Sequence, residues 1–315
     1  MPVMVSPLDH VQRSGAVGLL KRRRIWVDGT TVTPDSIGPT PGLPLRRVSF
    51  TFPGEDGLVW SRKPELAMAA NSVSLLMPFV EPYVVRSIRA VTDQLGDPVL
   101  ADVAKAFVRQ ESQHHGQHRV YNELLGARYR GVRRIERWID TVYRLLEAHT
   151  SKAFGVAFAA GFETVAFCAA RWVDTRADDV LDGADPRGAS LFLWHLAEEV
   201  EHKTVAPDVY RAIGGGRLRY AAAMLISALI LAWFSVLGML VMMWHERRLF
   251  KPIAHLRMLL WTLSFLLVLL PVTAVSVLPA HDPRDLADPY RLQSWITGHF
   301  DGIDSMGVDT GHSFA

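Results

Sequence analysis

Two segments of the chain repeat one arrangement of acids and imidazoles. One reads Glu111-Ser-Gln-His114-His115-Gly-Gln-His118, the other His195-Leu-Ala-Glu198-Glu199-Val-Glu201-His202. Each contains Glu-x-x-His, Glu111 with His114 and Glu199 with His202. Residues three apart are neighbours on one face of a helix, so each pair aims a carboxylate oxygen and an imidazole nitrogen at one point. His195 falls within roughly 60° of Glu199 and His202 at about 100° per residue, and can join them. His115 competes with His114, and Glu198 competes with Glu199, because each also stands four residues from its partner. His118 shares the stripe of His114. With Asp208, six residues past His202, these form an expected outer set, His115, His118, Glu198 and Asp208, that would orient the ligands by hydrogen bonds.

Two isolated acids complete the pattern. Glu163 is the only acid between Ala153 and Trp172, and Glu81 lies in the apolar run Met77-Pro-Phe-Val-Glu81-Pro-Tyr-Val-Val85. A carboxylate buried among such neighbours must be neutralised or find a partner. A pair of metal ions serves all of them at once. The order Glu81, Glu111-x-x-His114, Glu163, Glu199-x-x-His202 on four successive helices is that of helical di-metal carboxylate bundles. Pro82 disfavours helical geometry at Glu81, which leaves Glu65 and Asp93 as alternative donors. Carboxylate and imidazole ligands without thiolate suit iron, manganese or zinc; four Glu and two or three His on four helices favour two irons. The single cysteine, Cys168, excludes an internal disulfide and argues against a thiolate zinc cluster.

The elements that must position these residues are helical. Residues 1–60, rich in Gly and Pro, predict an irregular arm with β-like pieces at Arg24–Val27 and Val48–Phe52. The patch Val17–Leu20 is too short and wrongly flanked for a signal peptide. Pro64–Val91 predicts a helical stretch perturbed by Pro78 and Pro82. Asp97-Pro98 opens a helix that Gly126 would end. A connecting helix over Val132–Leu146 is followed by a third site helix near Ser151–Asp174. A loop at Asp178–Arg187 leads to a fourth, opening at Ser190 and closing at Gly214–Gly216. Tyr220–Trp244 and Met258–Leu278 carry no charge and are each long enough for a bilayer core. Their basic flanks conflict: Arg211, Arg217 and Arg219 before the first run and Arg247, Arg248, Lys251 and Arg257 between the runs both favour the cytoplasmic side. A simple spanning hairpin cannot satisfy both. The expected division is an arm (1–60), a di-metal bundle (61–216), an apolar helical pair, membrane-associated (217–280), and a polar tail (281–315).

The segments Met77–Val91, Ala106–Leu125, Ala153–Phe167 and Trp194–Tyr210 resemble the family of predicted metal-dependent hydrolases in the ferritin-like superfamily. The strongest likeness is His195-Leu-Ala-Glu-Glu-Val-Glu-His-Lys-Thr-Val-Ala-Pro-Asp-Val-Tyr210. It implies an all-α, ferritin-like four-helix bundle with metal ligands at Glu81, Glu111, His114, Glu163, Glu199 and His202. The spacing His195-x-x-x-Glu199-x-x-His202 also resembles the p-aminobenzoate N-oxygenase group, where an extra histidine joins the ligands.

The sequence therefore predicts a di-iron enzyme that activates dioxygen to oxidise a hydrophobic small molecule, with an electron donor. A di-metal hydrolase is the alternative, and a non-catalytic metal-binding membrane protein a third reading. Expected partners are a small-molecule substrate, membrane lipid and a second copy in a homodimer, with the bundle on the cytoplasmic side. A formal charge of +2 gives no case for nucleic acid.

Overall fold

The computed structural model describes residues 30–34, 43–52, 54–279 and 281–298. The expected strand at Arg24–Val27 and the patch at Val17–Leu20 lie outside them. Among the described residues the protein is all-α apart from one antiparallel pair, β1 (Thr30–Pro34) with β2 (Arg46–Phe50), whose register pairs Val32 with Val48. The helices are α1 (Pro64–Ser74), α2 (Met77–Thr92), α3 (Pro98–Arg128), α4 (Val132–His149), α5 (Lys152–Thr175), α6 (Ala177–Val180), α7 (Pro186–His202), α8 (Val205–Ala212), α9 (Arg217–His245), α10 (Pro252–Ser276) and α11 (Tyr290–Ile296).

Prolines divide the helices in ways that can be traced atom by atom. Pro78 can neither bond to nor tolerate the carbonyl of Ser74, and the long stretch from Pro64 breaks there into α1 and α2. Pro82 does not break α2. It sits in the second turn and removes one hydrogen bond, while the buried face Val80, Val84, Val85 and Ile88 holds the helix against its neighbours. Glu81 therefore keeps its helical place, contrary to the expectation from the following proline. Pro207 cannot donate to the carbonyl of Lys203, so the fourth site helix stops at His202 and resumes as α8, short of the expected end at Gly214. It also starts earlier than expected, at Pro186, capped by Asp185, whose side chain accepts from Arg187 N.

Gly126 ends nothing. Helix α3 runs through it to Arg128, and its missing side chain makes room for the Arg133 guanidinium. The left-handed residue that turns the chain into α4 is Gly131, at φ +105°.

Helix α5 is the inner strut. Helices α2, α7, α8, α9 and α10 all pack on it. It is apolar and long enough to cross a membrane, as are α9 and α10, yet 78% of its apolar window is buried inside the protein. Its apolarity is thus accounted for by the core. Gly161 brings it against α9 so closely that a Cβ there would lie 2.5 Å from Met224 Cα. Helices α9 and α10 both lie on α5 rather than chiefly on one another. Glu65 of α1, fully buried, ties down both the loop between them and the start of α10, accepting from Arg248 (3.1 Å) and Arg257 (3.4 Å). That pairing takes Glu65 out of contention as a metal donor.

The expected irregular arm is ordered where it meets the bundle. In β2, Arg46, Val48 and Phe50 point inward and Arg47 and Ser49 outward. Phe50 packs on Trp194 of α7, and Gln117 of α3 donates to the Val48 carbonyl. The tail is docked as far as residue 298: Leu292, Trp295 and Ile296 are buried, and Leu292 N donates to Asp174.

Candidate metal centre

Four helices converge on one point. Glu81 comes from α2, Glu111 and His114 from α3, Glu163 from α5, and His195, Glu199 and His202 from α7. All seven side chains are buried, six of them completely. His202 Nδ1 lies 3.0 Å from Glu111 Oε1, 3.6 Å from Glu163 Oε2 and 3.8 Å from Glu199 Oε2. His114 Nδ1 lies 3.4 Å from Glu111 Oε1 and 3.7 Å from Glu199 Oε1. His195 Nε2 lies 2.9 Å from Glu199 Oε1 and 3.6 Å from Glu81 Oε1. Glu111 and Glu199 therefore stand between two halves, one holding Glu81, His114 and His195 and the other Glu163 and His202. Donor atoms about 3 Å apart are what a cation with ligands at about 2.0–2.2 Å gathers around itself.

The hydrogen bonds give the test of fit. All eight oxygens of Glu81, Glu111, Glu163 and Glu199 are buried without a hydrogen bond, as are Nδ1 of His114 and Nδ1 of His202. Ten such atoms facing one another would be severely destabilising unless something compensates them.

The opposite edges of the imidazoles are all engaged. His114 Nε2 meets Glu198 Oε2 at 2.9 Å. His202 Nε2 meets Gln110 Oε1 at 2.9 Å, and the Gln110 amide is oriented by its donation to the Pro44 carbonyl. Both partners only accept, so Nε2 carries the proton and Nδ1 presents a lone pair inward. His195 follows the same logic through a longer chain. Ser74 Oγ gives its single proton to Asn122 Oδ1, so it accepts from His118 Nδ1 (2.7 Å). His118 Nε2 then accepts from His195 Nδ1 (2.7 Å), leaving His195 Nε2 bare toward the acids. These tautomers follow from the network. Burial, with the neighbouring imidazoles His195 and His114, keeps His118 neutral by holding its pKa well below the ordinary value.

Of the expected outer set, His118 and Glu198 touch ligand side chains, while His115 and Asp208 do not. His115 bonds the Glu111 carbonyl of its own helix. Asp208 is engaged by Arg211 and Arg284, since six residues past His202 it falls about 120° away around a helix. Asp93 is exposed at the end of α2. Two groups escaped the sequence reading. Gln110 orients His202, and Arg46 of β2 reaches Glu198 (3.3 Å) and Glu201 (2.8 Å). A glutamine beside Glu111 could have been suspected from helical spacing; Arg46 could not, since it lies 152 positions from Glu198.

The acids divide their charge unequally. Burial first, then the charges of Glu111 and Glu199, push the Glu81 carboxyl well up. Burial opposes ionisation of Glu111 and Glu199 too, but the adjacent imidazoles outweigh it and hold both down. Burial would depress the imidazoles; instead Glu111 and Glu198 push His114 up to about 9, and Glu111 and Glu199 push His202 up to about 10. Both are therefore protonated at neutral pH until a metal displaces the protons. Metal loading at pH 7 is expected to release at least about two protons per chain, and affinity to rise with pH toward that range. A metal titration in weak buffer with a pH indicator measures this. Uptake without proton release would remove His114 and His202 from the donor set.

A buried carboxylate–imidazole cluster on four helices defines a metal-binding helical protein. The chain belongs to the family of predicted metal-dependent hydrolases, whose profile matches residues 44–286. No curated protein and no solved structure matches it, so the likeness to the ferritin-like superfamily rests on ligand order alone. The family assignment overturns the expectation of a dioxygen-activating di-iron oxidoreductase. The physical reason is that glutamate and histidine donors serve hydrolytic and redox metals alike; ligand type and spacing do not choose between the two chemistries.

Proposed function

We propose that this chain is a hydrolase working through two divalent metal ions, with Glu81, His114 and His195 as donors to one, Glu163 and His202 as donors to the other, and Glu111 and Glu199 placed between them. The observation that carries this is the set of eight carboxylate oxygens and two imidazole nitrogens turned inward without hydrogen bonds, in a chain of this family. Two such ions supply an activated water and polarise the carbonyl or phosphoryl oxygen it attacks.

The chain's own residues do the rest. Glu111 and Glu199, placed between the halves, set the spacing of the centre. Glu198, itself charge-paired with Arg46, and Gln110 fix His114 and His202 in the tautomer that points a lone pair inward. Phe107 and Trp194, with ring centroids 4.7 Å from His202 and His114, line the centre with apolar surface and limit water. The Ser74–His118–His195 chain holds the proton of His195 on Nδ1 and so turns its Nε2 toward the acids.

The test is turnover of chromogenic carboxylic and phosphoric esters by metal-stripped and reloaded protein in the absence of oxygen. Hydrolysis is expected only after loading, and at the same rate with and without air. A fully loaded protein that cleaves neither ester, or turns over only with oxygen and a reductant, would remove the proposal.

A further inference from the structure

Among the described residues, nothing covers the outer surface of α9 and α10. Leu225, Leu229 and Trp233 of α9 are exposed, as are Leu259, Leu263 and Leu267 of α10. Length and hydropathy would allow each helix to cross a bilayer. Two observations point to another arrangement.

The first is that the inner side of α9 is covered from end to end. Near its start Tyr220 hydrogen-bonds Thr164 of α5 at 2.8 Å, and Met224 abuts Gly161. Further along, Gly238 lies against Ser72 and Leu75. Met242 and Met243 are buried in the last turn, and Glu246 just beyond it accepts from Arg128 and Tyr129. The stretch from Tyr220 to Met243 is about 35 Å long at 1.5 Å per residue, against about 30 Å for the hydrocarbon core. An upright α9 would thus bring the bundle into the hydrocarbon beside it. Helix α4 packs on α9 and exposes Arg133, Arg134 and Arg137; charged groups facing lipid are strongly disfavoured.

The second observation is charge. Arg217 and Arg219 at the start of α9, and Arg247 and Lys251 just past its end, are all exposed. A spanning helix separates these two groups across the membrane. A helix lying flat places both at one layer of lipid headgroups, where anionic lipid complements them.

We propose that the protein is monotopic: α9 and α10 lie in the plane of a single anionic leaflet, apolar faces down, with the metal centre carried above it. This holds whatever reaction the centre performs. It also resolves the conflict of basic flanks, because no segment has to change sides.

The test uses the full chain with Cys168→Ala and one reporter, Arg217→Cys or Arg247→Cys, expressed in bacterial cells. A membrane-impermeant maleimide is applied to intact spheroplasts and to inverted vesicles. Both reporters are expected to label from the same side, with the protein in the membrane fraction. Labelling from opposite sides would overturn the proposal in favour of spanning. A soluble dimer absent from the membrane fraction would overturn it in favour of a second copy covering this face. The surface variant Leu263→Lys with Leu267→Lys, checked for folding by circular dichroism, is expected to move most of the protein into the soluble fraction. Its retention in the membrane would count against contact through α10.

Discussion

Glu199→Ala is expected to empty the centre. Its two oxygens face His195 and His114 on one side and His202 on the other, so its loss removes the donor common to both halves. Removing an outer hydrogen-bond partner of a metal ligand costs about 10–100-fold in affinity; removing this carboxylate should exceed that for both ions. The metal content of the purified variant, by elemental analysis, is expected to fall from about two ions per chain toward zero. Added metal is expected to raise the melting temperature of the parent protein through binding to the folded state, and to leave that of the variant unchanged. Hydrolysis should fall by at least the same factor. A variant that keeps its metal and its metal-dependent stabilisation would show that Glu199 is not a ligand, and the proposed division of the donors would fail with it.

Gly161→Ala is expected to be among the most destabilising single changes outside the metal donors. The added Cβ would sit 2.5 Å from Met224 Cα, 2.7 Å from Met224 Cβ and 2.9 Å from Met224 N. Backbone cannot swing aside as a side-chain tip can, so α9 must move away from α5. Overpacking of this kind costs about 1–3 kcal/mol and sometimes more. The alanine would otherwise favour the helix by up to about 1 kcal/mol, so a net loss isolates the clash. Urea denaturation of the metal-free proteins measures it. Gly161 and Glu163 lie in the same turn of α5, so a displacement of that turn should weaken metal affinity as well. If the variant matches the parent in midpoint, the close approach of α5 and α9 is wrong.

The contrast between these two residues shows where sequence reading stops. The donors could be read because metal ligation imposes short-range spacing: Glu-x-x-His places two ligands on one helical face, and lone acids such as Glu163 stand out in apolar runs. Nothing local marks Gly161, since its role is set by a helix more than 60 positions away. Glu65 stood as an alternative donor to Glu81. Only the fold shows that Arg248 and Arg257 neutralise it. Asp208, six residues past His202, falls about 120° away from it even on a continuous helix, and it pairs with Arg211 and Arg284 instead. Glu81 was doubted because of Pro82, and tertiary packing kept it helical.

The chain's own order of residues determined that it would be helical, that four helices would carry carboxylates and imidazoles inward, and that two long apolar segments would follow. Periodicity and composition act within a few turns, and those features are local. The tertiary structure decided which outer groups orient the ligands, that β2 closes over α7 through Arg46 and over α3 through Gln117, and that α9 is covered along one whole side. Each of these depends on contacts between segments distant in sequence, where the free energy of burial and ion pairing is settled only once the helices have packed.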